Sequence, residues 1–281
     1  MINELYITAA IKAIQQAMSA KSEEDGGKHI REAIQNLGKS LSSEVSLDII
    51  SAANYKPRDI KGMYVSSGCD WIDYLLGGGL RKEECMIIGG EFHVGKTHLM
   101  AYLAAQYLME GQSVLHFNGE DILEDVLNVY KMSLVSGSGD ANLEGLYFVN
   151  AMDSGVFSLE MIDRGLSTQK TDVVVVDHID IMDSEIKNQD WKAVSDISRE
   201  LKFLAKKYGN IIIVGSQAIE GRLFRGNASK SMHADVVWYL EEIVDNLLQV
   251  TVKKGRGRNI KNKKMALECN FDTMSIKSER I

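Results

Sequence analysis

Eight consecutive residues decide the fold: Gly90-Glu91-Phe92-His93-Val94-Gly95-Lys96-Thr97. They fit the pattern G-x-x-x-x-G-K-[ST] at every position, with an apolar run at 86–88 before them and a helical pattern after them. Glycines at this spacing let backbone N–H groups surround a phosphate, and the following helix adds its positive dipole end. We therefore predict an ATP site in which Lys96 contacts the β- and γ-phosphates and the Thr97 hydroxyl binds Mg²⁺.

The predicted nucleotide-contact segment extends from Gly90 to His98. His93 and His98 flank the lysine, but no phosphate chemistry requires histidine there, so we expect both to be structural. A second Mg²⁺ ligand is predicted at Asp177, because four valines at 173–176 indicate a strand buried on both faces. An Asp at the carboxyl end of such a strand points into the crevice where ligands of parallel sheets bind.

Composition sets the outer limits. The chain has 281 residues, of which 45% are hydrophobic and 25% charged, which fits one or two soluble domains. A net charge of -7 argues against a histone-like nucleic-acid coat. Three widely spaced cysteines form neither a disulfide framework nor a zinc pattern. With no apolar run of transmembrane length and no signal peptide, we expect a cytoplasmic protein without a membrane partner.

Two regions differ in their hydrophobic patterning. Residues 1 to 42 have the periodicity of two amphipathic helices, and residues 43–60 form a connector; the helices either pack on their own domain or act as an oligomerisation or docking arm. From residue 61 to 281, short apolar strands alternate with helices, which predicts an α/β core with a mainly parallel twisted sheet. The strands are predicted at Cys85–Gly89, Ser113–Asn118, Leu146–Asn150, Val173–Asp177, Ile211–Gly215, Val236–Leu240 and Leu248–Val252, with a closing antiparallel hairpin at Lys264–Cys269 and Met274–Lys277.

An ordered set of motifs gives a more specific resemblance. Residues 67–80, SGCDWIDYLLGGGL, resemble a segment of the RecA-type ATPases that precedes the phosphate loop. Residues 113–120, 177–182, 195–206, 214–217 and 234–237 then resemble, in order, motifs of the DnaB-type hexameric replicative helicases. The resemblance covers about residues 60–277 and implies a RecA-like P-loop NTPase core behind a short helical N-terminal region.

The resemblance implies catalytic roles for individual residues. Glu120 corresponds to the general base that orients the attacking water, with Asp121 beside it as the fallback. Gln217 corresponds to the residue that senses the γ-phosphate and relays its presence to the DNA loops.

The most basic stretch of the chain lies at residues 253–264, where seven of twelve residues are Lys or Arg and none is acidic. The family places a K-x-R here that reaches into the neighbouring subunit's ATP site. Lys254 and Arg256 fit that spacing best, and Arg258 is an alternative, as is a solvated hairpin or a DNA-backbone contact. Lys261, Lys263 and Lys264 are left as surface or DNA-facing.

The resemblance also places DNA against the segments at 183–192 and 218–230, through Lys187 in the first and Arg222, Arg225 and Lys230 in the second. It implies a ring-forming, ATP-dependent helicase on single-stranded DNA, a homo-oligomer expected to be a hexamer, with a primase, loader or other replisome protein as partner. Its compactness suits a phage genome. Two rivals remain: a RecA-like recombination or strand-annealing ATPase, and a regulator of the KaiC kind.

Overall fold

A computed structural model describes residues 51–154, 157–182, 191–217 and 232–281. The chain divides into two compact units, Met1–Arg58 and Asp59–Ile281. The amphipathic helices expected within residues 1–42 lie outside the described residues. Of the first unit only residues 51–58 are described, so the fold reported below is that of the second.

The second unit alternates strands and helices over most of its length. Its helices are α1 (Asp70–Leu76), α2 (Lys96–Met109), α3 (Leu123–Ser138), α4 (Ala151–Ser154), α5 (Leu159–Thr168) and α6 (Trp191–Tyr208). Its strands are β1 (Tyr64–Val65), β2 (Leu80–Arg81), β3 (Cys85–Gly90), β4 (Val114–Asn118), β5 (Leu146–Asn150), β6 (Val173–Asp177), β7 (Ile211–Gln217), β8 (Val236–Val244), β9 (Leu247–Gly255), β10 (Lys264–Asn270) and β11 (Ser275–Arg280).

The large sheet has nine strands in the order β11-β10-β9-β8-β3-β7-β6-β4-β5. Strands β5, β4, β6, β7, β3 and β8 run parallel, as the alternation of strands and helices predicts. The chain is thus α/β with a mainly parallel sheet. All parallel strands end at one edge, here called the carboxyl edge, and begin at the opposite, amino edge.

The sheet is buried on both faces by helices. Along β6, Val173 and Val175 pack into the cluster that holds α2 and α3, whereas Val174 and Val176 pack into the cluster that holds α5 and α6. Because side chains of a strand alternate between faces, a strand covered on both sides must be apolar throughout, which explains the run of valines. In the described part of the chain no helix is long and apolar enough to cross a membrane.

The antiparallel part of the sheet is larger than predicted. A hairpin was expected only for the last two strands, but β8 and β9 are also antiparallel, as are β9 and β10. The two residues Asp245 and Asn246 connect β8 to β9, and Asn246 has a left-handed φ of 63°. So short a connection cannot carry a crossover helix and therefore reverses the chain.

Candidate nucleotide site

A cleft of about 370 Å³ opens at the carboxyl edge of the parallel strands. It lies between the phosphate loop that follows β3 and the ends of β4, β6 and β7. Its lining brings together most of the residues predicted to bind nucleotide or act on it: Phe92, His93, Gly95, Lys96, Thr97, His98, Glu120, Asp121, Asp177, His178, Gln217 and Phe271.

The phosphate loop needs its glycines. Gly95 has a left-handed φ of 84°, and a Cβ there would approach the Phe271 ring to 2.9 Å. A Cβ on Gly90 would meet Val94 Cγ1 at 2.7 Å and the Leu240 carbonyl oxygen at 2.9 Å. Backbone N–H groups can therefore line a concave loop that a side chain at either glycine would distort.

Lys96 begins α2 with its side chain largely buried. Its ammonium donates a hydrogen bond to the Glu91 carbonyl oxygen, at 2.5 Å, within its own loop. Burial lowers the pKa of Lys96, and the negative charges of Asp177, Glu120 and Asp180 oppose that shift without cancelling it. A cation bonded to a loop carbonyl at the beginning of a helix is well placed to take an anionic ligand.

Thr97 and Asp177 provide the oxygen ligands that a hard cation requires. The Thr97 hydroxyl donates a hydrogen bond to the Asp177 carboxylate. Asp177 Oδ2 is buried and has no hydrogen-bond partner among the described residues. Burial raises the pKa of Asp177 to about 6, against the opposing effect of the Thr97 bond. An orphaned carboxylate oxygen beside a hydroxyl fits Mg²⁺, which is bound by one or two protein oxygens plus phosphates.

Four polar side chains meet at the ends of β4, β6 and β7. His178 Nε2 lies 2.9 Å from Glu120 Oε2 and 3.1 Å from Gln217 Nε2. His178 Nδ1 accepts a hydrogen bond from the Asp180 N–H at 3.2 Å, and Asp180 Oδ2 accepts one from the Gln217 N–H at 2.7 Å. Glu120 and Gln217, predicted separately from the resemblance, are thus joined through one ring.

His178 and Asp180 were not among the predicted site residues. Burial lowers the pKa of His178, but the hydrogen bond with Asp180 and the charges of Asp180, Glu120 and Asp177 outweigh it, so the pKa is raised. The available signal was the position of His178, directly after Asp177 at the end of a buried strand. Asp121, the fallback for Glu120, also lines the cleft.

The end of the cleft away from Glu120 is aromatic. The rings of His98 and Phe271 meet edge to face with centroids 5.1 Å apart, and burial lowers the pKa of His98 despite the charge of Asp121. Phe271 follows β10 and was not predicted, because nothing near it in sequence marks the site. His98 therefore packs against the cleft wall, in keeping with the structural role expected of it.

Arg256 and Lys254 lie at the opposite side of the sheet from this cleft. Gly255 pairs with Val236 and Val236 with Met86, at the amino edge, whereas the phosphate loop leaves β3 at Gly90. Four residues of strand separate those levels, about 13 Å. The side chain of Arg256 is 53% exposed, lies 3.7 Å from Asp235 Oδ1 and donates to the Met232 carbonyl oxygen at 3.3 Å. Lys254 donates to the same oxygen at 2.8 Å, and burial lowers its pKa.

Arg258, the alternative to Arg256, is committed elsewhere. Its guanidinium is 4% exposed and pairs with the buried Glu84 carboxylate. It also donates to the carbonyl oxygens of Leu76 at 2.6 Å and Gly79 at 2.7 Å, after the end of α1. A side chain held by these contacts cannot extend to another subunit, so the interpretation of Arg258 as a trans-acting arginine is wrong.

The predicted DNA contacts Lys187, Arg222, Arg225 and Lys230 lie outside the described residues. The chain enters both segments from the carboxyl edge, after Met182 and after Gln217.

Residues 143–235 match a family model described as the DnaB-like helicase C terminal domain. This range includes β6, β7 and three of the residues that join at the cleft. The chain is a RecA-like ATPase related to the DnaB-like helicases. The expected resemblance is thereby confirmed.

Curated relatives of this RecA-like ATPase include DNA repair proteins. The DNA repair protein RadA of Campylobacter jejuni is 26% identical over 174 residues, 60% of this chain and 36% of the relative. RadA of Bacillus subtilis is 29% identical over 171 residues, and the protein RecA of Prochlorococcus marinus is 30% identical over 115 residues. The chain spans about a third of the length of the RadA proteins it matches.

Solved structures agree with this fold. The ATPase domain of a helicase superposes with a TM-score of 0.61 at 14% identity, covering 88% of this chain and 97% of that one. The flagellar accessory protein FlaH from Methanocaldococcus jannaschii superposes with a TM-score of 0.56 at 19% identity, covering 78% and 98%. Both likenesses concern the fold of the RecA-like ATPase.

Proposed function

We propose that the chain is an ATP-dependent, ring-forming DNA helicase that translocates on single-stranded DNA and separates strands in replication. The supporting observation is the convergence of Glu120, Asp177 and Gln217 on the phosphate loop, within a chain that matches the DnaB-like helicase model. A hexamer, a primase or loader partner, a cytoplasmic location and a phage origin belong to the same proposal.

Each residue of the cleft has a distinct part in hydrolysis. Lys96 leaves the Glu91 carbonyl and binds the β- and γ-phosphate oxygens as a point charge. Thr97 and the orphaned oxygen of Asp177 hold Mg²⁺, which when bound neutralises charge on the phosphates. Glu120 accepts a proton from the attacking water, and the Gln217 amide contacts the γ-phosphate.

Arg256 acts on the cleft of a neighbouring subunit. It is exposed and lies at the amino edge, so it cannot reach the cleft of its own chain. In a head-to-tail assembly the amino edge of one copy approaches the carboxyl edge of the next, and Arg256 then neutralises charge on the transferred phosphoryl group. Lys254, which shares the Met232 carbonyl with Arg256, supports it.

DNA contacts are assigned to the two segments that leave the carboxyl edge. Arg222, Arg225 and Lys230 follow Gln217 within a few residues, and Lys187 follows the strand that ends at Asp177. A change at Gln217 on nucleotide binding is therefore passed directly into the second segment.

A second candidate is a recombination or strand-annealing ATPase that binds single-stranded DNA without unwinding it. The observation that favours it is the similarity to RadA and RecA proteins. In this alternative the cleft works as described above, and the difference lies in what hydrolysis drives.

A fork-unwinding assay with 5′ and 3′ tails distinguishes these functions. Strand separation that requires ATP and a 5′ tail, and is abolished by Lys96→Ala, supports the helicase. Hydrolysis stimulated by DNA without unwinding favours the recombination ATPase, and hydrolysis indifferent to DNA excludes both. Electron microscopy of the ATP-bound particle separates ring from filament.

A further inference from the structure

The position of the Glu120 carboxylate depends on a contact that the family pattern does not account for. Glu120 follows β4, and its side chain is 50% exposed. A glutamate so exposed samples several rotamers, yet a general base must be held within hydrogen-bond reach of one water. His178, at 1% exposed, lies 2.9 Å from the carboxylate and is the fixed side of the pair.

His178 is itself anchored from behind. Its Nδ1 accepts from the Asp180 N–H at 3.2 Å and lies 3.4 Å from Asp180 Oδ2. Asp180 Oδ2 in turn accepts from the Gln217 N–H at 2.7 Å. The ends of β6 and β7 are therefore joined behind the ring, and the ring faces the end of β4.

The hydrogen bonds define where the ring proton sits. Because Nδ1 accepts, the neutral ring carries its proton on Nε2 and donates it to Glu120. The Gln217 amide lies 3.1 Å from the same Nε2 and can present its oxygen to that proton after a half-turn of the amide. One N–H shared by two acceptors serves each less well than it would serve one.

We propose that His178 is a positioning residue that couples the Gln217 amide to the Glu120 carboxylate. When Gln217 turns to a γ-phosphate, the Nε2–H of His178 is left entirely to Glu120 and fixes its carboxylate for the attacking water. The coupling makes the base competent only when the phosphate is in place. This inference rests on the proposed function, because it assigns Glu120 and Gln217 their roles in hydrolysis.

Imidazole suits this position because its two nitrogens face opposite ways across a rigid ring. In the substitution His178→Asn, the shorter amide would replace Nδ1 and keep the bond from the Asp180 N–H, but would not reach Glu120. In His178→Gln, the longer amide would reach the position of Nε2. The two substitutions therefore separate anchoring from coupling.

The coupling is tested first in the nucleotide-free chain. With ¹⁵N-histidine labelling, His178→Asn identifies the ring signals of residue 178 among the six histidines. We expect both Glu120→Gln and Gln217→Ala to shift those signals. If neither substitution moves them, the contact does not exist in solution and the proposal is overturned.

The second readout separates chemistry from binding. We expect His178→Asn to lower kcat roughly tenfold or more while the Kd for a non-hydrolysable ATP analogue changes less than about threefold. His178→Gln should recover most of the loss, and Gln217→Ala should add little to His178→Asn because both break the same chain of contacts. Wild-type kcat in His178→Asn, with an unchanged melting temperature, would overturn the coupling. A wild-type chain that does not hydrolyse ATP would instead refute the proposed function, and the nucleotide-free spectra would still decide the contact.

Discussion

The Thr97 hydroxyl donates a hydrogen bond to the Asp177 carboxylate, while the second oxygen of that carboxylate is buried without a partner among the described residues. A buried, half-satisfied carboxylate destabilises the fold that contains it. Such an arrangement is expected where a carboxylate is kept for a ligand.

Asp177→Asn should stabilise the nucleotide-free protein at pH 7. Burial raises the pKa of Asp177 from its ordinary 3.8 to about 6, so the charged form costs free energy in the folded state above pH 6. The variant removes that cost, on the order of 3 kcal/mol, and the gain should disappear as the pH falls from 6 towards 4. Urea unfolding at several pH values measures it.

The same variant should lose Mg²⁺-dependent ATP binding, because an amide is a poorer ligand for a hard cation than a carboxylate. Asp140→Asn, on an exposed residue after α3, is the matched control and should change neither quantity. A destabilised Asp177→Asn would show that the carboxylate is well satisfied and not held for a ligand.

Arg258→Ala should destabilise the fold, whereas Arg256→Ala should not. Removing Arg258 leaves the buried Glu84 carboxylate with Arg81, whose Nε lies 2.7 Å away, as its remaining cationic partner among the described residues. A loss of about 3 kcal/mol is expected for Arg258→Ala, the low end for breaking a buried pair, and less than about 0.5 kcal/mol for the exposed Arg256. Equal losses in chemical denaturation would contradict the different surroundings of these two arginines.

Mixing two inactive variants tests whether Arg256 completes a neighbour's cleft. Arg256→Ala and Lys96→Ala should each abolish hydrolysis, with nucleotide binding preserved in the first. In an equal mixture, a cleft with an intact lysine meets an intact arginine at about one quarter of head-to-tail interfaces, so about that share of activity should return. Arg164→Ala, at an exposed position of α5, should hydrolyse ATP normally. No recovery on mixing, in particles that do assemble, would assign Arg256 another role.

His116→Phe should make the protein more resistant to acid. His116 is fully buried against Phe148 and Tyr130, and burial lowers its pKa from 6.5 to about 3. Because the unfolded chain binds the proton more readily, stability is complete above pH 6.5 and falls as the pH drops towards 3. At pH 5 the cost is about 2 kcal/mol. Thermal unfolding at pH 7.5 and 5 should show a smaller shift in the variant, and an equal shift would place the acid sensitivity elsewhere.

The sequence predicted the parallel core well because burial on both faces leaves little freedom. Val173–Asp177 and Leu146–Asn150 begin and end where expected, and the phosphate loop has its strand and helix. The pairing of β8 and β9 was harder, since an apolar strand reads the same in either direction. Asp245 and Asn246 carried the available signal, as a connection too short for a helix.

Contacts between distant strand ends could not be predicted from spacing. Nothing in sequence indicates that the residue after Asp177 meets Glu120 and Gln217, because that depends on which strands are neighbours. Arg256 and Arg258 differ by only two positions, but β9 ends at Gly255, so the alternation of a strand no longer applies to them. The backbone at residue 257, a glycine with a φ of 69°, turns the chain, and Arg258 enters the interior.

The pairing of Gly255 with Val236 at the amino edge has a consequence for assembly. If Arg256 completes a neighbouring cleft, each copy gives at one end and receives at the other, and no two copies can satisfy each other face to face. A closed circle leaves no cleft uncompleted, whereas an open chain always keeps one idle at its end. Activity per copy would then rise with the number of copies joined, and dilution would silence the protein without unfolding it.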